Sequence, residues 1–256
     1  YDVIDLKYIH NKEGFVYYLA SPDNATQKYL YKTNLNGKGK NELVSPKNLK
    51  GSHDYSFSSN GNYAAHTFSN HYTPYAKEFI SIANHKALTE EESILKNIKK
   101  LEEKPTTEFF TITTTDNVEM DGWMVKPTNF DPNKKYPVVF YVYSEPASTT
   151  VNDTYFSSKN RLYNGDMAED GYIYISLDNR GTPSPKGREW RKSIYRKIGV
   201  VNIKDQAMAA KEILKWNFVD SDRVAVWGWS GGGSATLNLM FQYPEIYKTG
   251  IAIAAV

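Results

Sequence analysis

The chain has 256 residues, 31 Lys+Arg against 29 Asp+Glu, and a formal net charge of +2, which argues against a dedicated nucleic-acid binder. Hydrophobic residues make up 40% and charged residues 23%, the balance of a globular chain and not of a disordered one. With no cysteine, disulfide scaffolds, thiolate zinc sites and cysteine catalysis are excluded, and no apolar run approaches the roughly 18 residues of a membrane span.

Residues 1–87 read as short strands. Phe15-Val-Tyr-Tyr-Leu19 and Tyr29-Leu-Tyr-Lys-Thr33 are aromatic and β-branched runs bounded by polar turns. A shift of 48 residues lays Lys28–Lys38 on Ala76–Lys86 and Asn11–Phe15 on Ser59–Tyr63. A repeat of that length with several strands per copy suggests propeller blades, the alternative being a plain β-meander, and two copies are too few to close a propeller. A hinge helix is expected over 88–104: Thr89 and Glu92 have capping-box spacing, Ile94, Leu95, Ile98 and Leu101 recur at helical intervals, and Pro105 ends the run. Lys96, Lys99 and Lys100 fall between the apolar positions and read as a solvated face.

From 105 to 256 the pattern changes. Phe109–Thr114 and Met120–Val125 form a hairpin turning at Asp116-Asn117. Val138–Tyr143, Tyr172–Leu177, Val224–Trp227 and Ile251–Val256 are continuous apolar runs of the kind buried in parallel sheets. Helices at Val201–Trp216 and Ser230–Gln242 alternate with them, so a parallel sheet with helices on both faces is expected. The chain begins at Tyr1 without a leader and stops inside an apolar run, so it reads as a cut piece.

Gly228-Trp229-Ser230-Gly231-Gly232 fits G-x-S-x-G, with an apolar strand before it and a helix after, the context of a nucleophile elbow. The strained turn presents the Ser230 hydroxyl, and Gly231 N–H at the helix start can donate to an oxyanion. A glycine-rich turn that only packs a helix on a strand is the plain alternative; a dinucleotide loop fails because G-x-G-x-x-G is not matched. On this fold the acid and base follow the serine. His10, His53, His66, His71 and His85 all precede Ser230 and read as surface or strand-packing residues. No metal-ligand spacing and no cofactor motif is visible. Arg188, Arg191, Lys192, Arg196 and Lys197 form a basic cluster read as a solvated face, and Asn24-Ala-Thr26 and Asn152-Asp-Thr154 match the N-glycosylation pattern.

These residues resemble the prolyl oligopeptidase family, in its dipeptidyl peptidase IV branch and particularly its bacterial members. The resemblance rests on Val224-Ala-Val-Trp-Gly-Trp-Ser-Gly-Gly232, on Lys135–Ser148, on Asp178-Asn-Arg-Gly-Thr182, and on Gly187–Gly199 up to Asp205-Gln206. It implies an α/β hydrolase with a doubly wound, mostly parallel, truncated sheet over 105–256, preceded by the last blades of a β-propeller over 1–87 and the hinge helix. It implies a serine exopeptidase that releases short N-terminal peptides through an acyl-enzyme on Ser230, favouring Pro or Ala at the penultimate position. Tyr143 would supply the side-chain hydroxyl of the oxyanion hole and Gly231 its backbone N–H. The family's triad Asp and His, and most of its S1 pocket, would lie beyond Val256. Gly231 departs from the Tyr that animal members carry there, which leaves that wall of the S1 pocket open to question. The implied partner is a peptide substrate, with no cofactor, metal or nucleic acid, and the family often forms homodimers. The lack of cysteine suits a bacterial periplasm or envelope, favoured here, and a cytoplasmic setting as well. Alternatives are an acyl-aminoacyl peptidase, oligopeptidase or esterase on the same fold, or a non-catalytic propeller–hydrolase binding protein.

The 256-residue piece expressed alone is expected to be insoluble or inactive; a soluble, monodisperse product with peptidase activity would refute this.

Overall fold

Tyr, Phe, Val and Thr crowd the first ninety residues, and such side chains suit a pleated, half-buried surface. In the computed structural model, which describes residues 1–98, 107–160 and 162–256, they form two sheets of four strands. The first contains β1 (Val3–His10), β2 (Phe15–Ala20), β3 (Tyr29–Asn34) and β4 (Glu42–Leu43); the second contains β5 (Ser52–Phe57), β6 (Tyr63–Ser69), β7 (Ala76–Ser81) and β8 (Lys86–Ala87). Each is an antiparallel meander in chain order. The repeat in the sequence is the repeat in space, since Phe15 opens β2 and Tyr63 opens β6. These are consecutive propeller blades. Tyr17, Leu19 and Leu30 of one pack with Tyr55, Ala64, Ile80 and Ile82 of the other in one cluster, with Leu30 and Ile80 fully buried.

The second blade hides a polar chain. His53 Nε2 lies 2.9 Å from the Leu49 carbonyl, which can only accept, so Nε2 carries a proton. Burial first, then the neighbouring His66 charge, push the His53 pKa down to about 3, leaving Nδ1 bare to accept from His66 Nε2 at 2.9 Å. His66 Nδ1 then faces Glu78 Oε1 at 2.8 Å, a contact that requires a proton shared between them. Burial pushes the Glu78 carboxyl up, but hydrogen bonds from His66 and the Ile94 N–H outweigh it and hold the carboxyl below its usual range. On the other side Tyr55 Oη bridges Ser45 Oγ at 2.9 Å and His85 Nε2 at 2.8 Å, and burial, with the His66 charge, brings His85 down to about 4. Two of the expected strand-packing histidines, His53 and His66, are therefore members of one buried network.

Helix α1 spans Ile94–Ile98. The expected start at Thr89–Glu92 is corrected: those residues are turns and bends, and the Ile94 N–H is met by the Glu78 carboxylate instead of by a local capping box. The remainder of the expected hinge helix, from residue 99 through 104, lies outside the described residues.

The chain divides into two units, Tyr1–Pro105 with Asn152–Ser157, and Thr106–Val151 with Ser158–Val256. The second unit contains β9 (Thr107–Thr113), β10 (Glu119–Val125), β11 (Tyr136–Tyr141), β12 (Ile173–Leu177), α2 (Arg188–Lys192), α3 (Val201–Ile213), β13 (Val219–Trp229), α4 (Gly231–Gln242) and β14 (Thr249–Ile253). They build a six-stranded sheet in the order β14-β13-β11-β12-β10-β9. The four strands from β14 to β12 are parallel, and the β9–β10 hairpin adds an antiparallel edge, turning at Asn117 with φ 58°. The mostly parallel sheet steps one way from β11 to β12 and back the other way to β13 and β14, the winding of the α/β-hydrolase class.

Alternation along the strands sorts the two faces. Val138, Phe140, Ile173, Ile175, Val224 and Val226 point into the main core, joined by Ile203, Ala207, Ala210 and Ile213 of α3 and Ala235 and Leu239 of α4. Val139, Tyr141, Tyr174 and Trp227 point the other way and meet Trp123, Val151 and Ala168. Helices were expected on both faces, but α3 and α4 share one. Both connections, β12 to β13 and β13 to β14, step across the sheet in the same direction, so right-handed crossovers place both helices on the same side. The β11-to-β12 connection steps the opposite way, and its described residues cover the second face without a long helix.

His53 and His85 are neutral when folded and titrate near 6.5 when unfolded, so the stability they contribute is full above pH 6.5 and declines as pH falls toward 4 and 3. Hydrogen exchange of the β5–β6 amides, corrected for intrinsic rates, should lose about 1–2 kcal/mol of protection per histidine between pH 7 and pH 5. A pH-independent protection would contradict the assignment.

Candidate active site

Strand β13 ends at Trp229 and α4 begins at Gly231, so Ser230 alone makes the turn. Its φ of 56° and ψ of −122° are strained for a residue with a side chain, and such strain persists only where the surroundings impose it. Ser230 N–H donates to the Ile253 carbonyl of β14 at 2.9 Å. Gly233 and Ser234 N–H donate to the Ser230 carbonyl at 2.8 and 3.1 Å, which starts the helical ladder and leaves the Gly231 N–H outside it.

The glycines are dictated by close approach. A Cβ on Gly228 would lie 2.3 Å from the Gly232 carbonyl oxygen and 2.5 Å from that of Val142, and a Cβ on Gly232 would lie 2.2 Å from the Val142 oxygen. That contact carries the elbow onto the backbone at the end of β11, with the Tyr143 Cα 3.2 Å from the same Gly232 position. Ser230, Gly231 and the Tyr143 backbone, singled out far apart in sequence, are thereby gathered at one end of the sheet.

The loop after β11 is fixed from behind. Ser144 has φ 64°; its carbonyl accepts from Asn179 Nδ2 at 3.2 Å and its hydroxyl from Asn202 Nδ2 at 3.1 Å. Gln206 Nε2 of α3 holds Asn179 Oδ1 at 2.9 Å and the Leu177 carbonyl at 2.8 Å. Arg180 grips Asp205 with Nε at 2.9 Å and Nη2 at 2.7 Å, a fork that also ties the β12 loop to α3. Asp178 accepts from Thr150 N, Thr150 Oγ1 and Val151 N at 2.9–3.1 Å; complete burial outweighs these bonds and pushes its carboxyl up to about 6. The Asp178–Thr182 and Asp205-Gln206 stretches thus brace the loop that carries Tyr143. Asn202 and Ser144 carried no sequence signal, because their value lies in meeting across 58 residues.

Other sequence signals take their places. Arg188, Arg191, Lys192, Arg196 and Lys197 are exposed, and the Arg196 guanidinium lies 5.3 Å from the Tyr195 ring centre. Asn24 Oδ1 accepts from Thr26 N and Oγ1, a local turn. All five histidines belong to the first unit. His66, Glu78 and His85 bring donor atoms within 4.8 Å of one another, a grouping that no sequence spacing marked; those atoms are engaged in the blade's hydrogen-bond chain. Among the described residues no helix is long and apolar enough to cross a membrane.

A serine at a strand-to-helix elbow on a parallel sheet, preceded by propeller blades, defines the propeller–hydrolase class of protein. Residues 157–256 match the prolyl oligopeptidase family, and residues 1–75 match the dipeptidyl peptidase IV N-terminal region. The crystal structure of Porphyromonas gingivalis dipeptidyl peptidase 4 superposes with a TM-score of 0.83 at 32% identity, covering 100% of this chain and 35% of that one. A putative dipeptidyl aminopeptidase IV from Bacteroides ovatus gives 0.80 at 28%, covering 99% and 35%. A probable dipeptidyl-aminopeptidase B of Neurospora crassa is 31% identical across 100% of this chain and 28% of its own length. A probable dipeptidyl peptidase 4 of Arthroderma benhamiae is 28% identical across 100% of this chain and 33% of its own. Both family matches and all four relatives place the similarity of this chain with the dipeptidyl peptidase IV branch of the prolyl oligopeptidase family, and the chain spans about a third of the length of the curated relatives it matches.

Gly232→Ala should destabilise the second unit by about 1–3 kcal/mol, because the methyl overlaps a backbone oxygen that cannot step aside. Urea unfolding of the full-length protein, read by hydrogen exchange in peptides from β13 and α4, measures this selectively. An unchanged midpoint would mean that the elbow does not press on Val142.

Proposed function

We propose that the protein carrying this chain is a serine dipeptidyl peptidase that removes short peptides from a free N-terminus, favouring Pro or Ala at the penultimate position. The observation that carries this reading is Ser230 alone at the turn between β13 and α4, with φ 56° and the Gly231 N–H free of the helix ladder.

In this reading Ser230 Oγ attacks the carbonyl carbon of the second residue as a base removes its proton. The oxygen that gains the negative charge is held by Gly231 N–H and by the Tyr143 hydroxyl. The C–N bond then breaks, the amine departs with a proton, and the peptide remains as an ester on Ser230 until water releases it. The base is not assigned to a residue of this chain. The bracing of the β11 loop by residues between Asp178 and Gln206 supports the role given to Tyr143, since an oxyanion donor acts only where its position is held before the charge forms. The release of dipeptides is supported by the dipeptidyl peptidase names of the relatives, and the Pro or Ala preference by the motif resemblance alone. The roles of Ser230 and Gly231 rest on the elbow geometry, and that of Tyr143 on the motif resemblance.

A fluorophosphonate probe should label the full-length protein, and Ser230→Ala should abolish the labelling. Tyr143→Phe should lower kcat by about 10²–10³. A protein that cleaves Gly-Pro and Ala-Pro amides but refuses their N-acetylated forms fits a dipeptidyl enzyme, whereas cleavage of the blocked substrates alone would indicate an acyl-aminoacyl peptidase. Labelling that survives Ser230→Ala would sink the proposal.

A further inference from the structure

Gly231 follows the candidate nucleophile and has no side chain, yet the space beside it is filled. An ideal Cβ on Gly231 would lie 2.2 Å from Cδ and Oε2 of Glu145 and 2.6 Å from its Oε1. The Glu145 carboxylate therefore rests against the residue whose N–H is the candidate oxyanion donor. Glu145 stands two positions after Tyr143, directly beyond the Ser144 position pinned by Asn179 and Asn202, so its approach to the elbow is built by the same bracing. It is half-buried, and among the described residues its carboxylate receives no hydrogen bond and no ion pair. The Arg180 guanidinium is already taken by Asp205.

We propose that Glu145 is a specificity-determining residue, which favours a cationic side chain and disfavours an acidic one on the substrate residue whose carbonyl Ser230 attacks. The inference rests on the reading of Ser230 as nucleophile and adds a charge rule to it. The carbonyl oxygen held by Gly231 N–H is one bond from the attacked carbon, and the side chain of that same residue branches from the next atom. Whatever covers Gly231 therefore borders the space this side chain enters. A lysine or arginine there would give the carboxylate a charge-assisted hydrogen bond. A glutamate would set two like charges together, the repulsive half of specificity. Proline and alanine carry no charge for Glu145 to read, so the rule orders charged residues separately from the preference for small ones.

The full-length protein is assayed on Gly-Lys and Gly-Glu p-nitroanilides, with active sites counted by fluorophosphonate titration. The wild-type kcat/KM should favour the lysyl substrate, and Glu145→Gln should shrink the lysyl-to-glutamyl ratio at least tenfold, equivalent to about 1.4 kcal/mol. Gly231→Ala leaves Glu145 in the chain but pushes its carboxylate aside, because the new methyl overlaps only the end of a flexible side chain. It should shrink the ratio in the same direction, and it provides a second variant should the first fold poorly. A ratio unchanged in labelled, folded Glu145→Gln protein overturns the charge rule alone, as does an equal change on both substrates. Failure of the wild type to label at Ser230 overturns the nucleophile and the charge rule together.

Discussion

The contact between Gly232 and the Val142 carbonyl is the constraint on which the second unit depends. Only residues without a Cβ let the start of α4 come within van der Waals reach of the β11 backbone, and Gly228 and Gly232 are both needed for it. Once that approach is made, Ser230 has no relaxed conformation available, and its positive φ follows from packing. The strain is held by burial: Val226, Ala235 and Leu239 fix strand and helix in the main core, and the Ile253 carbonyl fixes the Ser230 N–H.

A second layer of polar side chains extends this rigidity. Asn179, Asn202 and Gln206 are almost wholly buried, and each spends its amide on a backbone or side-chain partner near the β11 loop. Buried polar groups arranged this way fix one geometry where an apolar filling would allow several. The same logic appears in the second blade, where His53, His66 and Glu78 run from the Leu49 carbonyl to the Ile94 N–H. There the chain decides where α1 begins, a start that local capping signals misplaced.

Strand positions were legible because their residue types leave little choice. The repeat at a shift of 48 became two copies of one meander, and the apolar runs became parallel strands within a few residues of their expected ends. The elbow was legible for a similar reason: Gly-x-Ser-x-Gly after an apolar strand admits few other structures. Helix placement was less so. The expectation of helices on both faces missed that α3 and α4 share one, since handedness acts on the order of strands in the sheet, which periodicity does not reveal.

By itself, the sequence determined the element types, the candidate nucleophile and the family resemblance, all of which rest on local patterns of a few residues. Tertiary structure decided what depends on distance: that Asn202 holds Ser144, that His66 meets His53 and Glu78, and that Glu145 fills the space left by Gly231. The glutamate and the glycine are 86 positions apart. Each alone is an ordinary residue, and only close packing turns the missing side chain of one into a place for the carboxylate of the other.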